Sequence, residues 1–235
     1  MQSIIHKADS RGKADYGWLR TRYTFSFAGY HDPSRVHFGA LRVLNDDWIE
    51  GGKGFDTHPH DNMEIVTIML DGELRHSDSM GHTEILKPGE VQVMTAGTGI
   101  FHSERNNLPD TPIKLFQIWV FPREKNLMPR YDQKWFDPNG RINQWQELVA
   151  PDNDQALRIN QDAWFSRAFL DKDKQLTYSL HGEQQGIYLF IVEGRIKLEG
   201  VELGNRDGAG IWDMNELTIT ASQDSDVFLI EVPHS

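Results

Sequence analysis

Apolar residues along this chain fall into short runs, and polar or turn-forming residues break each run after five to twelve positions. The runs TFSFAGY (24–30), FGALRVL (38–44), EIVTIMLDGEL (64–74), VQVMTAG (91–97) and IKLFQIWVF (113–121) occupy the first half. IYLFIVEGRIKL (187–198), GAGIWD (208–213), LTITA (217–221) and SDVFLIEV (225–232) occupy the second. They are rich in β-branched and aromatic residues and are bounded by Gly, Pro, Asp and Asn, which is the pattern of strands joined by turns. No long stretch carries a 3.6-residue period, so helices should be few and short. The pattern predicts an all-β sandwich or barrel.

A Pro- and polar-rich segment at 122–138, PREKNLMPRYDQKWFDP, separates the two groups of strands and reads as a connection between lobes. The halves also echo each other. IVTIMLDGEL (65–74) resembles IYLFIVEGRI (187–196), and GTGI (97–100) resembles GAGI (208–211). Two related β-barrels in tandem would account for both echoes.

Charge and composition remove several kinds of chemistry. The 235 residues carry a formal net charge of −11 and no marked Lys/Arg cluster, so nucleic acid is not an expected partner. Cysteine is absent, which excludes thiolate zinc sites, iron–sulfur clusters and thiol nucleophiles. The N-terminal stretch has no apolar segment fit for a signal peptide or membrane span, so a cytoplasmic protein without a membrane partner is expected.

Histidine is what remains for chemistry, and it is unevenly placed: eight of the ten lie at or before His102. His58 and His60 form a His-X-His pair at the entry to an apolar strand, and His102 and Glu104 form a His-X-Glu pair after a glycine-rich turn. In an extended segment, residues i and i+2 project to one face. If the two strands face each other, three imidazoles and a carboxylate converge on one point. That donor set suits iron, manganese, cobalt, nickel, copper or zinc rather than calcium or magnesium.

The spacing Gly52-X5-His58-X-His60-X3-Glu64 resembles the first cupin motif, FDTHPHDNMEIVTIMLDGELRHSDSMG (55–81) is similar to the signature of the pirin family, and MTAGTGIFHSE (94–104) to that family's second motif. TFSFAGYHDP and FGALRVLNDD fit as well, and the likeness is strongest to bacterial pirin-like quercetin 2,3-dioxygenases. The resemblance implies a bicupin: two tandem antiparallel jelly-roll barrels with few short helices, divided as a metal-binding cupin at 1–125 and a linker plus metal-free cupin at 126–235. It implies one divalent metal, iron(II) as the first expectation, held by His58, His60, His102 and Glu104, with Glu64 making a polar contact rather than ligating. The expected activity is a dioxygenase that opens a flavonol with O2 and releases CO, with Glu104 also taking the substrate proton. Another enolisable aromatic, or a metal-binding redox-responsive regulator acting through a protein partner, are the alternative readings. A monomer is expected.

Four further expectations concern single residues. His76, Asp78 and Ser79 crowd into one turn and should stabilise it rather than form a triad. His31 and His37 are expected in exposed loops. Phe25, Phe27, Phe55 and Phe101 flank the motifs and could wall a flat aromatic ligand. Trp212 and Asp213 stand where the second half would need ligands.

Overall fold

A computed structural model describes residues 1–234, and strands dominate it. Its helical content is two 3₁₀ turns, Ala8–Ser10 and Pro138–Arg141. The strands form two seven-stranded and two four-stranded sheets, antiparallel except for a two-residue parallel pairing between Gln146–Ala150 and Leu157–Arg158.

The first seven-stranded sheet runs, edge to edge, through Arg130–Trp135, Glu90–Thr95, Glu64–Asp71, Ile113–Val120, Leu41–Ile49, Leu19–Tyr23 and Gly12–Asp15. The second runs through Gln2–His6, Gly208–Trp212, Gln185–Glu193, Ser225–Pro233, Trp164–Leu170, Gln146–Ala150 and Leu157–Arg158. Each half adds a four-stranded sheet: Gly54–His60, Ile100–Asn106, Leu74–Asp78 and Thr83–Leu86 in the first, and Gln175–Ser179, Glu216–Ala221, Arg195–Leu198 and Val201–Gly204 in the second. From Leu41 to Val120 and from Trp164 to Pro233 the eight strands hold the same order in both halves; the outer strands differ, since Gln2–His6 takes in the second sheet the place that Arg130–Trp135 takes in the first.

The central strands are apolar on both faces because both faces are covered. Val66, Ile68, Phe116 and Ile118 pack in one cluster with Tyr188, Phe190, Phe228 and Ile230, which joins the two large sheets. Their neighbours Ile65 and Met69 turn the other way, into the first half's own interior. Glu64, fully buried, adds a polar tie: it accepts hydrogen bonds from Thr95 Oγ1 (3.0 Å), Asn160 N (3.2 Å) and Asn160 Nδ2 (3.3 Å). Glu64 thus makes the polar contact expected of it.

Three details differ from the sequence reading. The segment read as a connection contributes Arg130–Trp135 to the edge of the first sheet, where Arg130, Asp132 and Lys134 suit an exposed strand. Residues 2–6 cross over and pair with Gly208–Trp212. The echo between 65–74 and 187–196 joins strands that hold the same place in their sheets, but that between 97–100 and 208–211 does not. Gly97 and Gly99 lie in a turn with φ of 49° and 132°, whereas Gly208–Trp212 is a strand whose place in the sheet matches Glu90–Thr95. Only at the turn is glycine required by backbone angle; a Cβ on Gly97 would also stand 2.0 Å from the Leu127 carbonyl oxygen.

Candidate metal centre

Gly54–His60 pairs antiparallel with Ile100–Asn106, and His58 sits directly opposite His102. The i, i+2 rule brings His60 to the same side. The ring centroids stand 4.4 Å apart for His58–His102 and 4.9 Å for both His58–His60 and His60–His102. Donor atoms of the three imidazoles all lie within 4.8 Å of one another, close enough to share one ion. A bulge lies between the His102 and Glu104 pairings, where Glu104 meets Phe55, so one extra residue on the Gly54–His60 strand shifts its alternation. Phe55 consequently lines the same cavity as His58 and His60.

Glu104 takes a different position from the histidine trio. Its carboxylate groups with His76 and His102, again within 4.8 Å, while lining the same cavity as the three histidines. Gln117 Nε2 donates to both of its oxygens, at 2.9 and 3.1 Å, and Gln117 Oε1 accepts from Thr67 Oγ1 at 3.3 Å.

The residues present fit a divalent transition ion. His102 is 1% exposed, yet neither ring nitrogen has a hydrogen-bond partner, an arrangement that ligation would resolve. His58 Nδ1 donates to the Asp56 carbonyl at 2.7 Å, which orients the ring and leaves Nε2 as the free donor atom. Burial lowers His60 to about 4, and the neighbouring His102 and His58 add to the effect. Burial likewise lowers His102 to about 3, with His58 and His76 contributing. Both rings are therefore neutral near pH 7, the form that binds metal.

The cavity over this cluster holds about 470 Å³. Two edge-to-face aromatic pairs border it, Trp18 with Phe55 and Phe27 with Trp119, each at 5.3 Å. Of the four phenylalanines expected at the wall, Phe27 and Phe55 are there. Phe25 is buried in the core between the sheets, against Tyr188, and Phe101 alternates outward from His102 and is 55% exposed. Trp18 and Trp119 went unnoticed in the sequence, as did Asn45, Asp47 and Gln117. Gln117 interrupts the apolar run of Ile113–Val120, and Asn45-Asp46-Asp47 form a polar triplet within Leu41–Ile49; those interruptions are the available signal. Burial pushes the Asp47 carboxyl up to about 7; a Thr21 contact opposes the shift, while Asp46 and Glu104 add to it.

His76 and Asp78 lie in the strand Leu74–Asp78 rather than in the turn, but Asp78 and Ser79 hold the turn that follows: Asp78 Oδ1 accepts from Met80 N and His82 N, and Ser79 Oγ accepts from Phe101 N. His76, fully buried, stands 5.3 Å from His102. His31 and His37 are exposed.

In the second half, sheet order puts the counterparts of the two histidine-bearing strands at Gln175–Ser179 and Glu216–Ala221, not at Trp212 and Asp213. There Thr177 and Thr218 face each other, with hydroxyls 2.8 Å apart. Trp212 and Asp213 serve packing and pairing: Trp212 stacks on His234, and Asp213 accepts from Gln2 Nε2. Among the described residues, both clusters able to hold a metal draw on positions 58–104.

Comparison with known proteins agrees with this architecture. A family model described as Pirin matches residues 5–120, and one described as Quercetinase C-terminal cupin domain matches 148–232. The chain is 43% identical over 230 residues to quercetin 2,3-dioxygenase of Escherichia coli strain K12, covering 97% of this chain and 98% of that one. It is 41% identical over 225 residues to a pirin-like protein of Caulobacter vibrioides, covering 95% and 96%. The crystal structure of the bacterial pirin YhhW of Escherichia coli in complex with nickel(II) matches with a TM-score of 0.94 at 41% identity, covering 100% of both chains. The fold is that of a bicupin. Within that class, the chain belongs to the pirin family. Among the described residues, no helix is long and apolar enough to cross a membrane.

Proposed function

We propose that this chain is a metal-dependent dioxygenase of the quercetin 2,3-dioxygenase type. The observation that carries the reading is the meeting of three imidazoles in the lining of an aromatic-walled cavity of about 470 Å³, a size suited to a small flat ligand. The names of the relatives support the same reaction class. His58, His60 and His102 hold one divalent transition ion and Glu104 completes the set, with iron(II) as the first expectation; a relative 41% identical was solved with nickel(II). The ion supplies Lewis acidity, lowering the pKa of the flavonol 3-hydroxyl.

The chain's own residues do the rest. Glu104 accepts the 3-hydroxyl proton, and Gln117 keeps its carboxylate aimed by donating to both oxygens. Trp18, Phe27, Phe55 and Trp119 hold the flat substrate and keep water away. One O2 is consumed, both its atoms enter the opened product, and one ring carbon leaves as CO.

The test is turnover. Protein purified metal-free and reloaded with iron(II) or nickel(II) should release CO from quercetin in air, with one O2 taken up for each CO. Metal-loaded protein that binds quercetin but releases no CO would refute the dioxygenase reading.

A further inference from the structure

The large sheet of the first half carries charge on the face that it turns toward the second half. Arg20 stands opposite Trp48, and Trp48 opposite Lys114; in the next row Arg22 stands opposite Asp46, and Asp46 opposite Phe116. Paired residues, and residues two apart on a strand, project to one face, so all six share it. Phe116 packs there against Phe190 of the second half, with ring centroids 5.4 Å apart. Two further guanidinium groups cover this contact: Arg11 over Phe190 at 5.2 Å and Arg206 over Phe116 at 5.3 Å. Arg11, Arg20, Arg22, Lys114 and Arg206 line a cavity of about 400 Å³ at the junction of the halves.

The charges in this cleft do not cancel. Arg11 Nη2 and Arg206 Nε share a single oxygen, Asp46 Oδ2, at 3.3 and 3.2 Å, and Arg20 pairs with Asp15 at 3.5 Å. Among the described residues Arg22 and Lys114 have no carboxylate partner, and Asp9 is the unpaired acid in the lining. Asp47 borders the cleft too, but alternation turns its side chain to the other face, where it lines the metal cavity. Five cations thus meet three carboxylates, a surplus of two positive charges on a chain whose net charge is −11. A concave setting with apolar walls concentrates such a field. The donors are also within reach, because Arg22 and Lys114 are exposed and the Arg206 side chain keeps 29% of its surface.

We propose that this cleft binds a phosphate ester through Arg22, Lys114 and Arg206. A phosphate dianion matches the two surplus charges, and planar guanidinium groups suit its oxygens. Arg11, whose side chain is 2% exposed, supplies field rather than contact. A bare phosphate fills only part of the cavity, and the remainder takes the organic part of the ester. The cleft shares no histidine with the metal centre and lies across the strand Leu41–Ile49 from it, so nothing in the proposal depends on the dioxygenase reading.

Calorimetric titration of the nickel(II)-loaded chain at low salt tests this, with inorganic phosphate as the probe and acetate as the monoanion control. Phosphate should bind at one site per chain, at least about 10-fold more tightly than acetate. Arg22→Ser and Lys114→Ser, both at exposed positions outside the core, should each weaken phosphate by about 5–10-fold. Asp9→Asn, which removes the unpaired acid, should tighten it by about 2–3-fold. His58→Ala, which disturbs the metal centre alone, should bind phosphate as the wild type does. Wild-type protein that takes up no phosphate by about 10 mM overturns the proposal. So does an affinity within 2-fold of wild type in both serine variants, or one lost in His58→Ala, since either outcome puts the anion elsewhere.

Discussion

Replacing Gln117 with leucine removes the amide that donates to both oxygens of Glu104, at 2.9 and 3.1 Å. Leucine is close in size and apolar, and Gln117 is 8% exposed, so the change removes the polar contact with little loss of packing. Glu104 is 4% exposed and would then have to hold its direction without that partner. Hydrogen bonds to a charged group contribute about 1.5–3 kcal/mol, and lost partners of a metal ligand typically cost roughly 10–100-fold in affinity, or about 1.4–2.7 kcal/mol. The two scales agree. The Gln117→Leu variant is therefore expected to bind nickel(II) about 10–100-fold more weakly in a chelator competition at pH 7. Its stability without metal should fall too, by about 1.5–3 kcal/mol, because buried Glu104 and Thr67 both lose a partner. Gln117→Glu should weaken binding too, because it sets a second carboxylate against the first. Nickel affinity within 2-fold of wild type in the leucine variant would refute both the positioning by Gln117 and the place of Glu104 in the ligand set.

Further outcomes follow from the same geometry. Glu104→Gln, fully loaded with metal, should lose about 10²–10⁴-fold in turnover and recover part of it as pH rises and the substrate ionises unaided; wild-type rates at neutral pH would leave Glu104 as a ligand only. Glu64→Gln should keep its metal, measured by elemental analysis, but lose about 1–3 kcal/mol of stability through mismatched partners at Thr95 and Asn160; loss of metal would contradict this. Burial lowers His6 from 6.5 to about 4, so above pH 6.5 the ring is neutral in both states, whereas from 6.5 down to 4 the unfolded chain takes the proton more readily and stability falls. One such ring contributes up to about 1.4 kcal/mol per pH unit, and denaturant titrations of metal-free His6→Asn across that window should show a shallower slope than wild type.

The histidine cluster was legible because it depends on the shortest-range rule in β structure. Alternation puts His58 beside His60, and the same rule, with one strand facing the other, brings in His102. What could not be read is whatever depends on which strands become neighbours. Gln117 reaches Glu104 only because the large sheet and the four-stranded sheet face each other, and Asn45 comes to stand beside Gln117 only through the order of strands in the large one. Trp18 and Trp119 look like ordinary core residues in sequence, and only the closing of the sheets places them at a cavity. The phenylalanines divide for the same reason: Phe101 follows strict alternation away from His102, and a bulge turns Phe55 inward against it. The echo of glycines at 97–100 and 208–211 misled because glycine serves a turn in one place and close packing in the other. A Cβ on Gly208 would meet the Tyr188 ring, and one on Gly210 the Phe38 ring.

The crossing of residues 2–6 into the far sheet has a bearing on how the chain is made. This strand is made well before its partner, Gly208–Trp212. At about 5–20 residues per second, the opening segment waits roughly 10–40 s for a place to dock. The sheet that carries the histidine cluster takes no strand from beyond Trp135, so it can assemble during that interval. Folding should accordingly run from the half with the histidine cluster outward, with residues 2–6 fastened late. A chain stalled short of residue 208 should then leave residues 2–6 open to a protease while the His58–His102 pairing is already protected.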